Sequence, residues 1–153
     1  MQIFLAKTVQ DYEDAKRLFQ AYANSLGFDL GFQEFSKELE QVDVIYKYPE
    51  GGIFLIKKNG VSIGCVGVRT FSEGIGELKR MYIQEEARGL KLGKQLLEAA
   101  LRYSKSIGHK AIRLDTMPEM QAAIKLYRAA GFREIAPYRP NPFKEALFFE
   151  LVF

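Results

Sequence analysis

Glu77-Leu78-Lys79-Arg80-Met81-Tyr82-Ile83-Gln84-Glu85-Glu86-Ala87-Arg88-Gly89-Leu90-Lys91-Leu92-Gly93-Lys94 runs from a strand-like segment through a glycine-bearing turn into an amphipathic stretch. A turn that opens a helix leaves several backbone N–H groups without intrahelical partners, aimed at whatever lies over the helix start. The helix dipole places about half a positive charge there, and Arg88, Lys91 and Lys94 add full ones. That combination suits an anion, most naturally a phosphate or pyrophosphate. On these residues alone, a solvated basic helix start is the competing reading.

The flanks give the turn its context. Ile3 to Ala6 reads as a short strand, and Thr8 caps a helix from about Val9 to Leu26 with Ala15, Leu18, Phe19 and Tyr22 at helical spacing. Gly27 ends it. A more polar helix is expected from about Phe32 to Gln41, then a break at Pro49-Glu50-Gly51-Gly52. Ile53–Lys58 and Val61–Thr70 are strands around Asn59-Gly60, a strong hairpin signal. Gly74-Ile75-Gly76 leads into the strand Glu77–Gln84. After the turn, a helix from about Leu90 to Ile107 carries a stripe of Leu92, Leu96, Leu97, Ala100 and Leu101, and Gly108 closes it. Lys110–Asp115 is a strand. Thr116-Met117-Pro118-Glu119 reads as a capping box with an early proline, starting a helix that runs to Ala130 and stops at Gly131. Phe132–Ala136 and Ala146–Phe153 close the chain. The order predicts a single mixed α/β sheet with helices on both faces, and a right-handed parallel crossover from Glu77 to Asp115.

Bulk properties narrow the class. At 153 residues, 48% hydrophobic and 27% charged, the chain is one ordinary globular domain. No apolar run approaches a membrane span and the first residues are no signal peptide, so a cytoplasmic setting is expected. A net charge of +3 suits an anionic ligand without demanding nucleic acid. Cys65 stands alone within Ser62–Val68 and reads as a small core residue. With one histidine, His109 in a helix-exit turn, no metal site is expected.

A strand, Arg-x-x-x-x-Gly, a helix, a strand and a second helix ending Leu126-Tyr127-Arg128-Ala129-Ala130-Gly131-Phe132 form a specific order of parts. The chain resembles the GNAT superfamily of N-acetyltransferases over nearly its whole length, most diagnostically in Glu77–Leu101 and Leu114–Phe132. The tail Pro137-Tyr138-x-x-Asn141-Pro142 looks like a common bacterial subgroup of single-domain members. The resemblance implies a largely antiparallel sheet with a splayed cofactor cleft, and direct transfer of an acetyl group from acetyl-CoA to a primary amine. Carried over by position, the Met81, Tyr82 and Ile83 backbone meets the pantetheine arm, and Arg88, Gly89, Leu90, Lys91, Leu92, Gly93 and Lys94 hold the pyrophosphate. Two positions depart from the pattern. Lys91 stands where a glycine is usual and needs a backbone open to a residue with a Cβ. Met120 stands where many members have an asparagine touching the pantetheine; Met117 and Met120 form an apolar wall there or belong to the core.

The chemistry requires a neutral amine, and a lysine-like amine with pKa about 10.4 is almost wholly protonated near pH 7. The resemblance places a general base at Glu77, which reads equally as a solvated or ion-paired strand end. Lys79 and Arg80 are expected on opposite faces of that strand, so that one face lines a cleft. The resemblance makes Tyr127 the group that hydrogen-bonds or protonates the departing thiolate; its competing reading is a core tyrosine on the stripe of Met120, Ala123 and Ile124. The oxyanion donor is a backbone N–H near Met81 to Ile83. Tyr22, Phe28, Phe32 and Phe35 are candidates for an acceptor pocket or for core. Arg69, Arg80 and Arg139 are candidates to pair with a substrate carboxylate, with surface charge the safer reading. The acceptor is a small-molecule or peptide amine, and the protein a monomer or homodimer. A non-catalytic acetyl-CoA-binding regulatory module is the alternative that Lys91 and Met120 keep open.

Overall fold

In the computed structural model, which describes residues 1–31 and 34–153, the elements follow in the order β1 (Gln2–Leu5), α1 (Val9–Ser25), α2 (Phe35–Glu40), α3 (Val42–Ile45), β2 (Gly51–Lys58), β3 (Val61–Ser72), β4 (Ile75–Ile83), α4 (Leu92–Ser106), β5 (Ala111–Thr116), α5 (Gln121–Ala130), β6 (Arg133–Ile135) and β7 (Leu147–Val152). They form one seven-stranded sheet in the order β1-β2-β3-β4-β5-β7-β6. The β4–β5 pair is parallel and the other neighbours are antiparallel, as the expected crossover requires. Asn59 and Gly60 both take positive φ (52° and 78°), the geometry of a tight hairpin turn.

Alternation along the strands separates two cores. On one face, Leu92, Leu96, Leu97 and Ala100 of α4 and Ile124 and Tyr127 of α5 pack on Val66, Val68, Leu78 and Ile112. On the other, Ala15, Leu18 and Phe19 of α1 pack with Tyr46 on Ile53, Leu55 and Cys65. Burying each large apolar side chain is worth about 1.5–3 kcal/mol, so both layers contribute to holding the sheet between them. Thr8 and Asp11 form a reciprocal capping box that starts α1.

Several expectations need correction. The second helix is two short pieces, α2 and α3, separated at Gln41; Phe32, expected at its start, lies outside the described residues. Thr116 caps no helix. It is the last residue of β5, paired with Leu147, and α5 starts at Gln121 behind Met120. Pro118 explains this, because a residue before proline is driven out of the helical region, so the strand runs on and Met117–Met120 becomes a turn.

Lys79 and Arg80 share a face instead of opposing each other. Gly67, cross-strand partner of Lys79, faces Tyr46 so closely that a Cβ there would lie 2.7 Å from the ring, which places Lys79 on the α1–α3 side. Arg80 bonds Glu38 of α2 on that same side. The cause is a β-bulge: the register shifts between Cys65 and Gly67, and Arg80 takes a left-handed φ of 58°. A bulge inserts one residue and breaks the alternation of side chains.

Candidate active site

β4 and β5 pair only from Ile75 to Glu77 and then separate. Beyond Glu77, the edge of β4 that faces β5 has no ladder partner. The gap opens into a cleft of about 900 Å³. Its lining includes Met81, Tyr82, Ile83, Arg88, Gly89, Lys91, Leu92, Gly93, Lys94 and Met120, ten of the residues assigned to the cofactor from sequence. Leu90 is not among them; it is half-exposed on the outside of the turn.

Two helices begin on this cleft, and neither start is capped by a side chain. Lys91 precedes α4 and Met120 precedes α5, each without a capping hydrogen bond. Leu92, Gly93 and Lys94 therefore present first-turn N–H groups to the opening, beside the cations of Lys91 and Lys94. Gly89 and Lys91 both adopt positive φ, 90° and 59°. Lys91 is thus the left-handed residue of the turn rather than the first residue of the helix. The conformation is open to a side chain, at a cost of about 1–2 kcal/mol relative to glycine's freedom. Gly93 serves a second purpose: a Cβ there would stand 3.0 Å from Leu126 Cδ1, so its bareness lets α4 and α5 close beside the cleft. Arg88 folds back, donating from Nε to the Ile83 carbonyl at 2.9 Å with its guanidinium over the Tyr82 ring. Uncapped N–H groups, a basic turn and an unpaired strand edge fit a long ligand with a polyanionic end and an amide-bearing arm.

A smaller pocket adjoins the cleft and shares Tyr22, Leu26, Phe28, Met117, Met120 and Phe143 with it. Its own walls add Leu78, Lys79 and Arg80 from β4, Asp115 and Thr116 from β5, and Asn141. Tyr22 and Phe28, expected as acceptor-pocket residues, line it. Phe35 does not; it is buried beneath the Arg80 guanidinium, 5.2 Å from its ring. Met117 and Met120 form the apolar wall. Phe28 and Phe143 touch across the opening, ring centroids 4.7 Å apart.

Beneath this pocket lies a network of buried charge that spacing did not reveal. Arg80 donates from Nη2 and Nε to the two oxygens of Glu38 at 2.7 and 3.0 Å, and the Tyr46 hydroxyl donates to Glu38 at 3.0 Å. Burial opposes ionisation of Glu38, but the Arg80 bonds and charge outweigh it and hold its carboxyl below the ordinary range. Glu77 is fully buried; its Oε2 accepts from the Tyr138 hydroxyl at 2.7 Å and Arg139 Nη1 at 2.8 Å. Its Oε1 lies 3.6 Å from Arg69 Nε and 3.9 Å from Lys79 Nζ. Burial again opposes the charge, while Lys79, Arg139 and Tyr138 keep the carboxyl below its usual value. Of the two readings of Glu77, the ion-paired one describes its placement, and it lines neither the cleft nor the pocket. Arg80 and Arg139 are committed to protein carboxylates and are not surface charges.

Lys79 is 5% exposed. Burial first, and then the neighbouring Arg80, lower its pKa to about 8. Tyr127 is buried in the core beside Ile124, its ring 5.7 Å from Phe132, and it lines neither the cleft nor the pocket. Burial, and then the charges of Tyr22 and Asp115, push its phenol well above the ordinary value. The Asn141 amide donates to Asp115 at 3.3 Å, so the segment carrying Tyr138, Arg139 and Asn141 is tied to both β4 and β5. Cys65 is buried, donating its thiol to the Arg80 carbonyl, with burial raising its pKa; it is a core residue. Away from the cleft, His109 bridges Ser104 and Thr70 and pins the end of α4 to β3. No group of metal-binding side chains and no helix long and apolar enough to cross a membrane occurs among the described residues.

The sequence profile of the acetyltransferase (GNAT) family matches residues 10–132. An uncharacterized N-acetyltransferase of Schizosaccharomyces pombe is 37% identical over 99% of this chain and 94% of its own length. Among solved structures, an acetyltransferase from Streptococcus agalactiae superposes with a TM-score of 0.81 at 18% identity, covering 99% of this chain and 98% of its own. A GNAT-family acetyltransferase from Staphylococcus aureus gives 0.78 at 22% identity, over 97% and 98%.

Proposed function

Because the chain belongs to the acetyltransferase (GNAT) family and is therefore an acetyl-CoA-dependent N-acetyltransferase, we propose that it moves the acetyl group directly to a primary amine held in the pocket beside Lys79. The observation that carries this reading is the continuity of the two openings. One opening has uncapped helix starts and lysines suited to a pyrophosphate, the other is small and closed by side chains, and they share walls at Tyr22, Met117 and Met120. Acetyl-CoA supplies the activated acetyl thioester when bound.

The residues of the chain divide the remaining work. Lys91, Lys94 and the N–H groups of Leu92 and Gly93 bind the anionic end. The Met81–Ile83 backbone, freed where β5 leaves β4, orients the arm and offers an N–H to developing negative charge; such preorganised donors are worth about 3–4 kcal/mol each in acyl transfer. Tyr127 donates a hydrogen bond from its phenol where a thiolate forms. Its raised pKa makes full proton transfer unfavourable, so a bond that strengthens as charge builds is the better description. Glu77 acts as a positioning residue: it fixes Tyr138, Arg139 and Lys79, and reaches the acceptor's proton only through other groups.

Thiol release from acetyl-CoA, screened over amino acids, polyamines, aminoglycosides and peptides, tests the reading. Turnover with at least one amine class supports it. Acetyl-CoA binding without thiol release across the panel contradicts it.

A further inference from the structure

We propose that Asp115 holds the acceptor's amino group, and that the acceptor is a primary amine carried on an unbranched apolar arm. This rests on the reading of the pocket as the acceptor site and names the binding residue and substrate class of that site.

Asp115 is the carboxylate that lines the pocket among the described residues. It lies on β5, paired with Phe148 of β7, just after the ladder to β4 ends at Arg113. The side chain is half-buried. Its Oδ2 accepts from the Asn141 amide at 3.3 Å, and no other hydrogen bond or ion pair engages it among the described residues. Asn141 is itself fixed: its Oδ1 accepts from the Phe143 N–H at 2.9 Å, which turns its NH2 group toward Asp115. One oxygen of the carboxylate is thereby held, and the other is left to a ligand N–H. On the β4 wall, Arg80 is bound twice by Glu38 and Lys79 lies 3.9 Å from Glu77, so the cations there already have carboxylates of their own.

An ammonium that enters the pocket meets Asp115 as an ionised acceptor, the stronger kind of hydrogen bond. The same oxygen accepts an N–H from the neutral amine, whose lone pair is then free to face the cleft that the pocket joins at Tyr22, Met117 and Met120. Size narrows the class further. The pocket holds about 40 Å³, room for about three water-sized groups, or a nitrogen and about two carbons in line. A branch on the first carbon needs a further place. Leu26, Phe28 and Leu30 wall the pocket, and Phe28 and Phe143 touch with ring centroids 4.7 Å apart, so the surroundings of the arm are apolar. An alkylamine or a lysine-type side chain meets these conditions, whereas an α-amino group on a substituted carbon does not.

Hexylamine, its α-methylated counterpart and hexanol test the assignment. By calorimetry, the wild-type protein bound to coenzyme A is expected to take hexylamine about tenfold or more tightly than hexanol, the ratio of one hydrogen bond to a charged group. Asp115→Asn, which keeps an oxygen for the Asn141 amide, is expected to erase most of that ratio with the coenzyme A affinity and the urea midpoint unchanged. Equal binding of amine and alcohol by the wild-type protein, a ratio retained in Asp115→Asn, or no binding of either ligand overturns the role of Asp115. An equal loss on both ligands in the variant overturns it as well, because it assigns Asp115 to the loop that it ties. In turnover, hexylamine is expected to exceed its α-methylated counterpart by about tenfold in kcat/KM, and equal use of the two overturns the substrate class. Failure of the transferase reading shows separately, as absent thiol release with every amine while coenzyme A still binds.

Discussion

The turn at Arg88–Lys94 and the middle of β4, only a few residues upstream, are built on opposite plans. The turn is exposed, works through backbone N–H groups, and takes its residues from one contiguous stretch. The middle of β4 is buried, works through side chains, and joins its own Glu77 and Arg80 to Glu38 of α2 and Arg139 of the β6–β7 connection, three separate parts of the chain. The capping of the helices repeats the contrast. Far from the cleft, α1 satisfies its own first turn with Thr8 and Asp11, whereas α4 and α5 leave theirs open to the cleft. On the proposed reading, binding the cofactor needs little more than local backbone geometry, while shaping the acceptor pocket draws on the tertiary fold.

The contrast breaks most visibly at Glu38. Glu38→Gln leaves Arg80 buried without its carboxylate and is expected to lower stability in urea by about 3–5 kcal/mol, with coenzyme A affinity of the folded protein unchanged. A loss below about 0.5 kcal/mol would make the buried network dispensable. The same network sets a pH dependence. Glu38 and Glu77 are held below the ordinary glutamate value of 4.5, so on acidification the unfolded chain takes up protons first. Their contribution is complete above that value and is lost as pH falls below it. Urea midpoints are expected to decline most steeply on the acid side of 4.5, and less steeply in Glu38→Gln.

Smaller effects sharpen the division of labour. Tyr127→Phe is expected to cut turnover about 100-fold while the Kd for coenzyme A stays within about twofold; an unchanged rate removes the phenol from the chemistry. Gly93→Asp sets a negative charge against the anion site and should weaken coenzyme A binding at least about tenfold. Gly93→Ala, which presses on Leu126 without adding charge, should do so far less, and equal losses would assign the effect to packing. Lys91→Gly removes left-handed strain and a cation together. It should raise stability by about 1 kcal/mol and weaken coenzyme A by a few-fold, read by urea melts and calorimetry.

What was legible in the sequence follows the same line. The crossover, the turn and ten of the residues that line the cleft could be read because strand period, glycine position and basic residues lie side by side. Glu38 could not, since its importance comes from a partner 42 residues away. The shared face of Lys79 and Arg80 was hidden by a bulge that no turn residue marks. Thr116 was misread because Thr-x-x-Glu satisfies a capping pattern, and the proline between them, which keeps the preceding residue extended, carries the decisive constraint. Of the three arginines offered for a substrate carboxylate, Arg80 and Arg139 are bound by the protein's own carboxylates, whose positions far along the chain no local spacing gives away.

Backbone amide shifts recorded while coenzyme A is titrated into the protein test the assignment of the cleft most directly. Perturbations concentrated at Met81–Ile83, Gly89–Lys94 and the first turn of α5 are the predicted result. Binding that leaves those amides unmoved and perturbs another surface would contradict it.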